Sequence, residues 1–279
     1  MSGTDSVRLV RYGVRGWLRP DRPGEPAVVA EPRERQALVL ELVLVFSVTL
    51  GLSGLRSLLS LLDSLLRPEP LSKQSVALNV SQAAQQLIDL AFQLAGVLQL
   101  VAWGGLAIYL LWRDGILPRM VGLDRRQIGR DGLVGAGLAL LIGVPGIGLY
   151  LAAQALDLNL TVQPTTLGDH WWRTPVLILA AAGNAWAEEV LVVGYLLTRL
   201  RQLGWGENAG LLVSAVLRGS YHLYQGFGGF VGNLIMGLVF GRCWQRTNRL
   251  WPLVVAHTLL DVVAFVGYAL LKGHVGWLP

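Results

Sequence analysis

One stretch of the sequence decides the fold: Thr174 to Leu203, which reads TPVLILAAAGNAWAEEVLVVGYLLTRLRQL. It is long enough to cross a bilayer as a helix, because about 20 apolar residues span the hydrocarbon core. Glu188 and Glu189 lie at its middle. Carboxylates at the centre of a span cost roughly 2.5–3.5 kcal/mol each, so acids retained there mark functional sites by default. The stretch therefore predicts a membrane helix that carries part of a functional site.

Apolar runs of similar length recur along the chain, which is 53% hydrophobic and 15% charged, with a mean hydropathy of +0.51. They predict an all-α fold, a polytopic transmembrane helix bundle of about seven spans. The predicted spans are residues 37–62, 87–112, 132–156, 174–203, 209–226, 230–246 and 250–271.

The content of these runs divides the chain into three parts. Residues 1–36 are rich in arginine and proline and are interpreted as a mobile, basic cytoplasmic tail. Residues 37–173 are interpreted as a three-helix membrane scaffold. Residues 174–279 contain the last four spans and most of the ionisable residues within helices, so we expect the catalytic-type core there. Two glycine pairs in this core allow helices to approach closely, namely Gly228 with Gly232 and Gly237 with Gly241.

The basic residues predict orientation and partners. Of the 23 Lys and Arg residues, 17 lie in the tail and in the loops of one predicted side, and 4 lie on the other. Because cytoplasmic loops collect basic residues, we expect a multi-pass protein of the cell membrane with its N-terminus cytoplasmic and its C-terminus outside. The basic loops, at a pI near 9.7, favour contact with anionic membrane lipid over nucleic acid. Cys243 is the single cysteine, so no intrachain disulfide can form.

The two adjacent glutamates are not expected to be equivalent. Neighbouring residues on a helix point about 100° apart, so Glu188 and Glu189 need not share a role. Asn184 lies four residues before Glu188 and is predicted to hydrogen-bond it from the same helix face. The alternative is a structural acid that is buried and paired with a basic residue.

Two later helices supply histidines. His222 lies near the end of its run, and Arg218, one turn earlier, needs a counter-charge for which Glu189 is the nearest candidate. His257 and Asp261 are four residues apart on one helix face. This pair can bind a metal, orient an imidazole or stabilise an oxyanion, and a satisfied polar contact is an equal alternative.

The predicted distances of these residues from the cytoplasmic side of the membrane agree only in part. With a rise of 1.5 Å per residue, Glu188 and His222 lie about 20–22 Å from the cytoplasmic ends of their helices, whereas His257 lies only about 10 Å from residue 250. The remaining histidines, His170 and His274, fall in predicted outer segments and are expected at the surface.

The ordered set of motifs resembles the CAAX protease and bacteriocin-processing family, which includes the type II CAAX prenyl endopeptidases. That family shows Glu-Glu-x-x-x-Arg, then Phe-x-x-x-His, then His-x-x-x-Asn or Asp, each on a membrane helix. The matching residues here are, in order, Glu188 with Glu189, His222, and His257 with Asp261.

Two positions depart from the family pattern. Val193 stands at the arginine position and Arg218 at the phenylalanine position. We hypothesise that Arg218 reaches Glu189 from the neighbouring helix and does what an arginine at position 193 would do.

The resemblance implies an intramembrane endopeptidase that acts on a peptide or membrane-protein substrate. Glu188 and His222 would activate water, and His257 with Asp261 would stabilise the oxyanion. Glu189 belongs to the same catalytic acidic pair. No cofactor is favoured, although His222, His257 and a carboxylate could hold Zn²⁺, so the metal ligands stay open.

Two other functions stay open. In a non-catalytic relative, the same cluster would hold helices together while the protein acts as a membrane chaperone or regulator. In an ion-coupled carrier, the acids and histidines would line a path, although the absence of an evident internal repeat disfavours this class.

Overall fold

The computed structural model describes residues 17, 18 and 26–271. Most of the predicted tail therefore lies outside the described residues. His274 lies outside them too. Between residues 26 and 271 the chain forms helices and two short strands. They are α1 (Pro32–Val48), α2 (Leu50–Leu65), β1 (Ser75–Asn79), α3 (Gln86–Arg113), α4 (Ile128–Ala155), β2 (Thr161–Thr165), α5 (Arg173–Glu188), α6 (Leu196–Gln202), α7 (Glu207–Ser220), α8 (Phe227–Thr247) and α9 (Trp251–Leu271).

The chain is mostly helical, with several candidate membrane spans. Among the described residues, five helices are long and apolar enough to cross a bilayer: α3, α4, the continuous rod Arg173–Gln202, α8 and α9. The pair formed by α1 and α2 is bent by 50° and adds a sixth if it is one broken span. The helical membrane bundle is thus supported, whereas the predicted number of about seven spans is not confirmed.

The first predicted span, residues 37–62, differs from the observed helices. α1 begins at Pro32, where the Glu31 carboxylate accepts a hydrogen bond from the Glu34 backbone N–H at 2.6 Å and caps the helix. The helix is broken at Thr49, whose φ and ψ are −127° and −128°. The Thr49 hydroxyl donates to the Val45 carbonyl at 2.7 Å, a local bond that competes with the helical ladder.

The predicted span 209–226 contains a shorter helix. α7 has 14 residues, which is short for a span of about 20. A tight turn at Leu223–Gln225 follows, and Gly226, with a φ of 107°, pairs with Asn159 beyond the end of α4. Hydropathy does not reveal this helix end, because the apolar run continues into the turn.

A short two-stranded parallel sheet accompanies the predicted helices. β1 and β2 pair in register from Ser75 with Thr161 to Asn79 with Thr165. Both strands lie in connections between predicted spans, for which no secondary structure was predicted.

The rod Arg173–Gln202 is the centre of the bundle. In its most apolar window 67% of the residues are buried, compared with at most 33% in any other candidate span. α5 packs against α3 and α9, α9 packs also against α4, and α7 packs against α8. The helix with the acidic pair is therefore the one most completely surrounded by protein.

The close packing predicted at the glycine pairs occurs at Gly228, Gly237 and Gly241, whereas Gly232 makes an ordinary contact. A Cβ built on Gly237 would lie 2.9 Å from the Cα of Ala215, and one built on Gly241 would lie 2.6 Å from Leu211 Cδ1. This pair faces α7. Gly228 and Gly232 instead face α4, through Ala153 and Leu149.

Several basic segments meet at one end of the bundle. The Val29 N–H donates to the Gln202 carbonyl at 2.9 Å, which brings the chain before α1 to the end of α6. In the loop beside α4, Asp124 accepts a hydrogen bond from Arg249 Nη1 at 2.7 Å. This bond from Arg249 lowers the pKa of Asp124. The arrangement agrees with the predicted cytoplasmic side, while the orientation itself stays a prediction.

Candidate active site

The acidic pair lies where the central rod changes its helical geometry. Glu188 is the last residue of α5, and Glu189–Tyr195 form a π-helical segment before α6. The Leu196 N–H donates to the Leu191 carbonyl, five residues back. The Val192 carbonyl, which would accept that bond in an α-helix, instead accepts one from the Ser214 hydroxyl of α7 at 2.8 Å. Such π segments often occur at functional sites.

Arg218 on α7 contacts both carboxylates. Its Nη2 donates to Glu189 Oε1 at 2.6 Å, and its Nη1 lies 3.5 Å from Glu188 Oε2. The side chains of Arg218 and Glu189 are fully buried. A buried arginine requires such partners, because an unpaired charge in a low-dielectric interior is costly.

Glu188 and Glu189 have different second partners, as their different directions on the helix predict. Glu188 Oε2 accepts a hydrogen bond from the Tyr221 hydroxyl at 2.8 Å. Glu189 Oε1 lies 2.7 Å from His257 Nδ1 on α9. Tyr221 was not singled out from the sequence, although it lies three residues after Arg218, a spacing that brings side chains to one side of a helical turn.

His222 follows the end of α7 and is half-buried. Its Nδ1 lies 3.0 Å from the Arg218 carbonyl oxygen. Because a carbonyl can only accept, Nδ1 is the donor in this bond, and Nε2 of the neutral ring is left as an acceptor. The ring packs against Tyr221, with 4.8 Å between the ring centroids.

Asn184 does not bond Glu188, contrary to the sequence prediction. Its Nδ2 donates to Asp261 Oδ2 at 3.0 Å. The reason is that α9 packs against α5, which brings an acceptor from another helix within reach. Sequence spacing along α5 cannot reveal this contact.

His257 lies between two carboxylates. Its Nδ1 contacts Glu189, and its Nε2 lies 3.6 Å from Asp261 Oδ2, too far for a hydrogen bond. Exposure rises along this row of side chains, from 0% at Glu189 through 5% at His257 to 18% at Asp261. Asp261 is therefore at the more open end of the site.

The mismatch in depth disappears in the structure. A Cβ built on Gly194 would lie 3.0 Å from Leu250 Cδ2, so the start of α9 lies beside the π segment, about 12 Å along the rod from its end at Gln202. Glu188 precedes Gly194 by six residues and His257 follows Leu250 by seven. At 1.5 Å per residue, both lie about 10 Å farther from the basic end of the bundle.

The predicted site residues thus meet between α5, α7 and α9. Arg218 contacts both glutamates, Tyr221 bonds Glu188 and packs on His222, and His257 contacts Glu189. His170 lies apart from them, before α5, where it stacks on Trp172. The catalytic roles of the assembled residues stay predictions.

The donor atoms do not form a metal site. Within residues 26–271 there is no group of three or more His, Cys, Asp or Glu side chains that could hold a metal ion. Both nitrogens of His257 face carboxylates, and Nδ1 of His222 is bonded to a carbonyl. The set of His222, His257 and a carboxylate that the sequence left open for Zn²⁺ does not converge on one point in this arrangement.

A family model described as "Type II CAAX prenyl endopeptidase Rce1-like" matches residues 170–263. This range includes every motif residue from Glu188 to Asp261. Searches of curated proteins and of solved structures find no match. At the family level the match implies endopeptidase activity of the CAAX protease type in a membrane protein. The resemblance of this segment to the CAAX protease and bacteriocin-processing family is therefore confirmed.

Proposed function

We propose that the protein is an intramembrane endopeptidase that hydrolyses a peptide bond at or within the cell membrane. The observation that carries the proposal is a network of contacts in which Arg218 joins Glu188 to Glu189, Glu189 contacts His257, and Tyr221 links Glu188 to His222. Carboxylates and imidazoles are the side chains that most often act as general acids and bases in hydrolysis.

The free atoms of Glu188 and His222 support their role as the water-activating pair. Tyr221 and Arg218 both contact Glu188 Oε2, while Oε1 makes no hydrogen bond within the described residues and is not enclosed like Glu189 Oε2. The bond from His222 Nδ1 to a carbonyl leaves Nε2 free to accept. A water held between these two acceptors would lose its proton to Glu188 as it attacks the substrate carbonyl.

The remaining groups would stabilise the negative charge that develops on the substrate oxygen in the transition state. His257, protonated and held at Nδ1 by Glu189, would donate its Nε2 hydrogen to the oxyanion beside Asp261. When the intermediate collapses, the C–N bond breaks and the leaving nitrogen takes the proton from Glu188. Glu189 would act by positioning His257 and Arg218, since it contacts both.

The test is peptide cleavage by the purified full-length protein in liposomes. The first probe is a prenylated peptide that ends in Cys-a-a-X, chosen from the description of the matching family. The second is a membrane-protein extract, in which Glu188→Gln captures substrates for identification by mass spectrometry. We expect Glu188→Gln to lower kcat by roughly 10²- to 10⁴-fold, because it removes the general base.

Asp169→Asn is the matched control, because Asp169 is an acid whose side chain is 90% exposed before α5. It should cleave like the wild type. Failure of the wild type to cleave either probe, or full activity of Glu188→Gln, would contradict the proposal.

We further propose that hydrolysis needs no metal ion. Activity should therefore persist after the purified protein is treated with a strong chelator and dialysed. Loss of cleavage that returns on addition of Zn²⁺ would contradict the metal-free mechanism while leaving the endopeptidase function intact.

A non-catalytic membrane chaperone or regulator is the second candidate. One observation favours it: Glu189 and Arg218 are fully enclosed and joined to each other, as in a structural ion pair. Such a protein would keep its cellular phenotype in a Glu188→Gln strain with normal expression, whereas an endopeptidase would lose it.

A further inference from the structure

Asn184 is a polar residue near the site to which the mechanism above gives no role. It lies on α5 one turn before Glu188, about 6 Å along the helix axis. Its amide nitrogen donates to Asp261 Oδ2 at 3.0 Å. Because a carboxylate oxygen can only accept this bond, the NH₂ group of the amide, and not its oxygen, faces Asp261.

An amide nitrogen carries two hydrogens, and Asp261 uses one of them. No second hydrogen bond from the Asn184 amide occurs within the described residues. The residue is only partly buried and lies at the more open end of the site. One N–H group is thus available to an incoming acceptor.

A second donor faces the same point. His257 Nε2 lies 3.6 Å from Asp261 Oδ2, the atom to which Asn184 is bonded. The two nitrogens therefore flank one oxygen atom, and neither has used all its hydrogens. An oxyanion hole requires two donors that can reach one acceptor, and these two nitrogens lie near enough to one atom to do so.

Asp261 itself is poorly suited to that task, because an ionised carboxylate has no hydrogen to donate and repels an oxyanion. We propose that Asn184 is a further catalytic residue, whose second N–H donates to the oxyanion together with His257 Nε2–H. In this assignment Asp261 is a positioning residue that fixes the orientation of the amide. The inference rests on the proposed endopeptidase function.

The step balances without another reactant. Water oxygen bonds to the substrate carbonyl carbon, the C=O electron pair moves onto oxygen, and the two N–H groups stabilise that charge. The charge returns to a C=O bond when the C–N bond breaks. Asn184 neither gains nor loses a proton.

The test compares Asn184→Leu and Asn184→Ala with the wild type in the prenylated-peptide cleavage assay. Leu keeps the size of the side chain and removes both donors, and Ala serves as the second variant if Leu impairs folding. We expect kcat to fall by roughly 10²- to 10³-fold, the usual effect of removing one oxyanion donor, with KM within about twofold. Asn233→Ala is the matched control, since Asn233 on α8 also makes one hydrogen bond, to Gly229 O at 3.0 Å.

Repeating the Asn184 substitution in an Asp261→Asn variant separates a catalytic role of Asn184 from a structural one. In Asp261→Asn, the new amide can donate to the oxyanion, so the further loss caused by Asn184→Leu should be less than tenfold. A purely structural Asn184 would not give this rescue. Unchanged kcat in both Asn184 variants, an effect on KM alone, or an equal loss in both backgrounds would overturn the assignment.

The outcome also separates this inference from the proposed function. If Glu188→Gln is inactive while both Asn184 variants are fully active, only the role of Asn184 is wrong. If the wild type cleaves no peptide, the proposed function fails, and the oxyanion role fails with it.

Discussion

Arg218 is the residue that makes the acidic pair compatible with burial. Its guanidinium contacts Glu188 and Glu189, and no part of its side chain is exposed. We expect Arg218→Leu to lower the free energy of unfolding by about 3–5 kcal/mol, because it leaves buried carboxylates without a counter-charge. The midpoint of thermal unfolding in detergent, measured with cleavage activity, checks this expectation.

A second substitution tests whether Arg218 replaces an arginine at position 193. The hydrogen bonds of the π segment run from residue i to i+5, so Val193 lies within one turn of Glu189. Val193 is fully buried in the core, and Arg218→Leu creates space for a longer side chain nearby. We expect Val193→Arg to restore part of the stability and activity of Arg218→Leu. The exchange would be contradicted if Arg218→Leu were as stable as the wild type, or if the double variant were no more stable or active than Arg218→Leu.

At the scale of single residues, the sequence predicted which groups would meet but not all their partners. The counter-charge of Arg218 followed from a general rule, because a buried arginine needs an acid and Glu189 was the nearest one. The partner of Asn184 did not follow, since it depends on the packing of α9 against α5. Tyr221 could have been found, because it lies only three residues after Arg218.

At the scale of the helices, α7 carries Arg218 and ends just before Tyr221, and its position depends on α8. A Cβ built on Gly237 would lie 2.9 Å from the backbone Cα of Ala215, which cannot move aside without the whole helix. We expect Gly237→Ala to lower the free energy of unfolding by about 1–3 kcal/mol through overpacking. It should also lower kcat, because α7 shifts relative to Glu188.

Gly232→Ala is the control for this prediction, on the same helix but facing α4. There the new Cβ would lie 3.4 Å from Leu149 Cδ2, an ordinary contact with a flexible side chain. Unfolding midpoints and cleavage rates of the two variants provide the comparison. Equal effects at positions 232 and 237 would show that the close approach of α7 and α8 does not set the geometry of the site.

The elements that the sequence predicted well are those with long apolar runs. Five of the candidate spans follow directly from hydropathy. The break at Thr49, the early end of α7 and the pairing of β1 with β2 were missed for a shared reason. The first two are set by local hydrogen bonds or backbone angles that hydropathy does not report, and the third joins residues 86 positions apart, from Ser75 with Thr161 to Asn79 with Thr165.

At the scale of the whole molecule, the connections between helices show at which end of the bundle each helix begins. The chain enters α7 at the end of the bundle where Val29 bonds Gln202. It leaves the following turn at Gly226, which pairs with Asn159 after α4. α7 and its turn thus carry the chain between opposite ends of the bundle although α7 has only 14 residues. If α7 with its turn counts as a crossing and α1 with α2 as one broken span, the seven predicted crossings are recovered, and termini on opposite sides of the membrane stay a prediction.

Labelling of single cysteines tests this topology and the orientation that the basic loops predict. In a Cys243→Ser background, Arg125→Cys reports on the loop before α4 and Asp169→Cys on the segment before α5. We expect a membrane-impermeant maleimide to label position 169 in intact cells and position 125 only in inverted vesicles, because 17 of the 23 Lys and Arg residues lie on the predicted cytoplasmic side. The reverse pattern would invert the molecule in the membrane, and labelling of both positions from one side would contradict the path of the chain through α4.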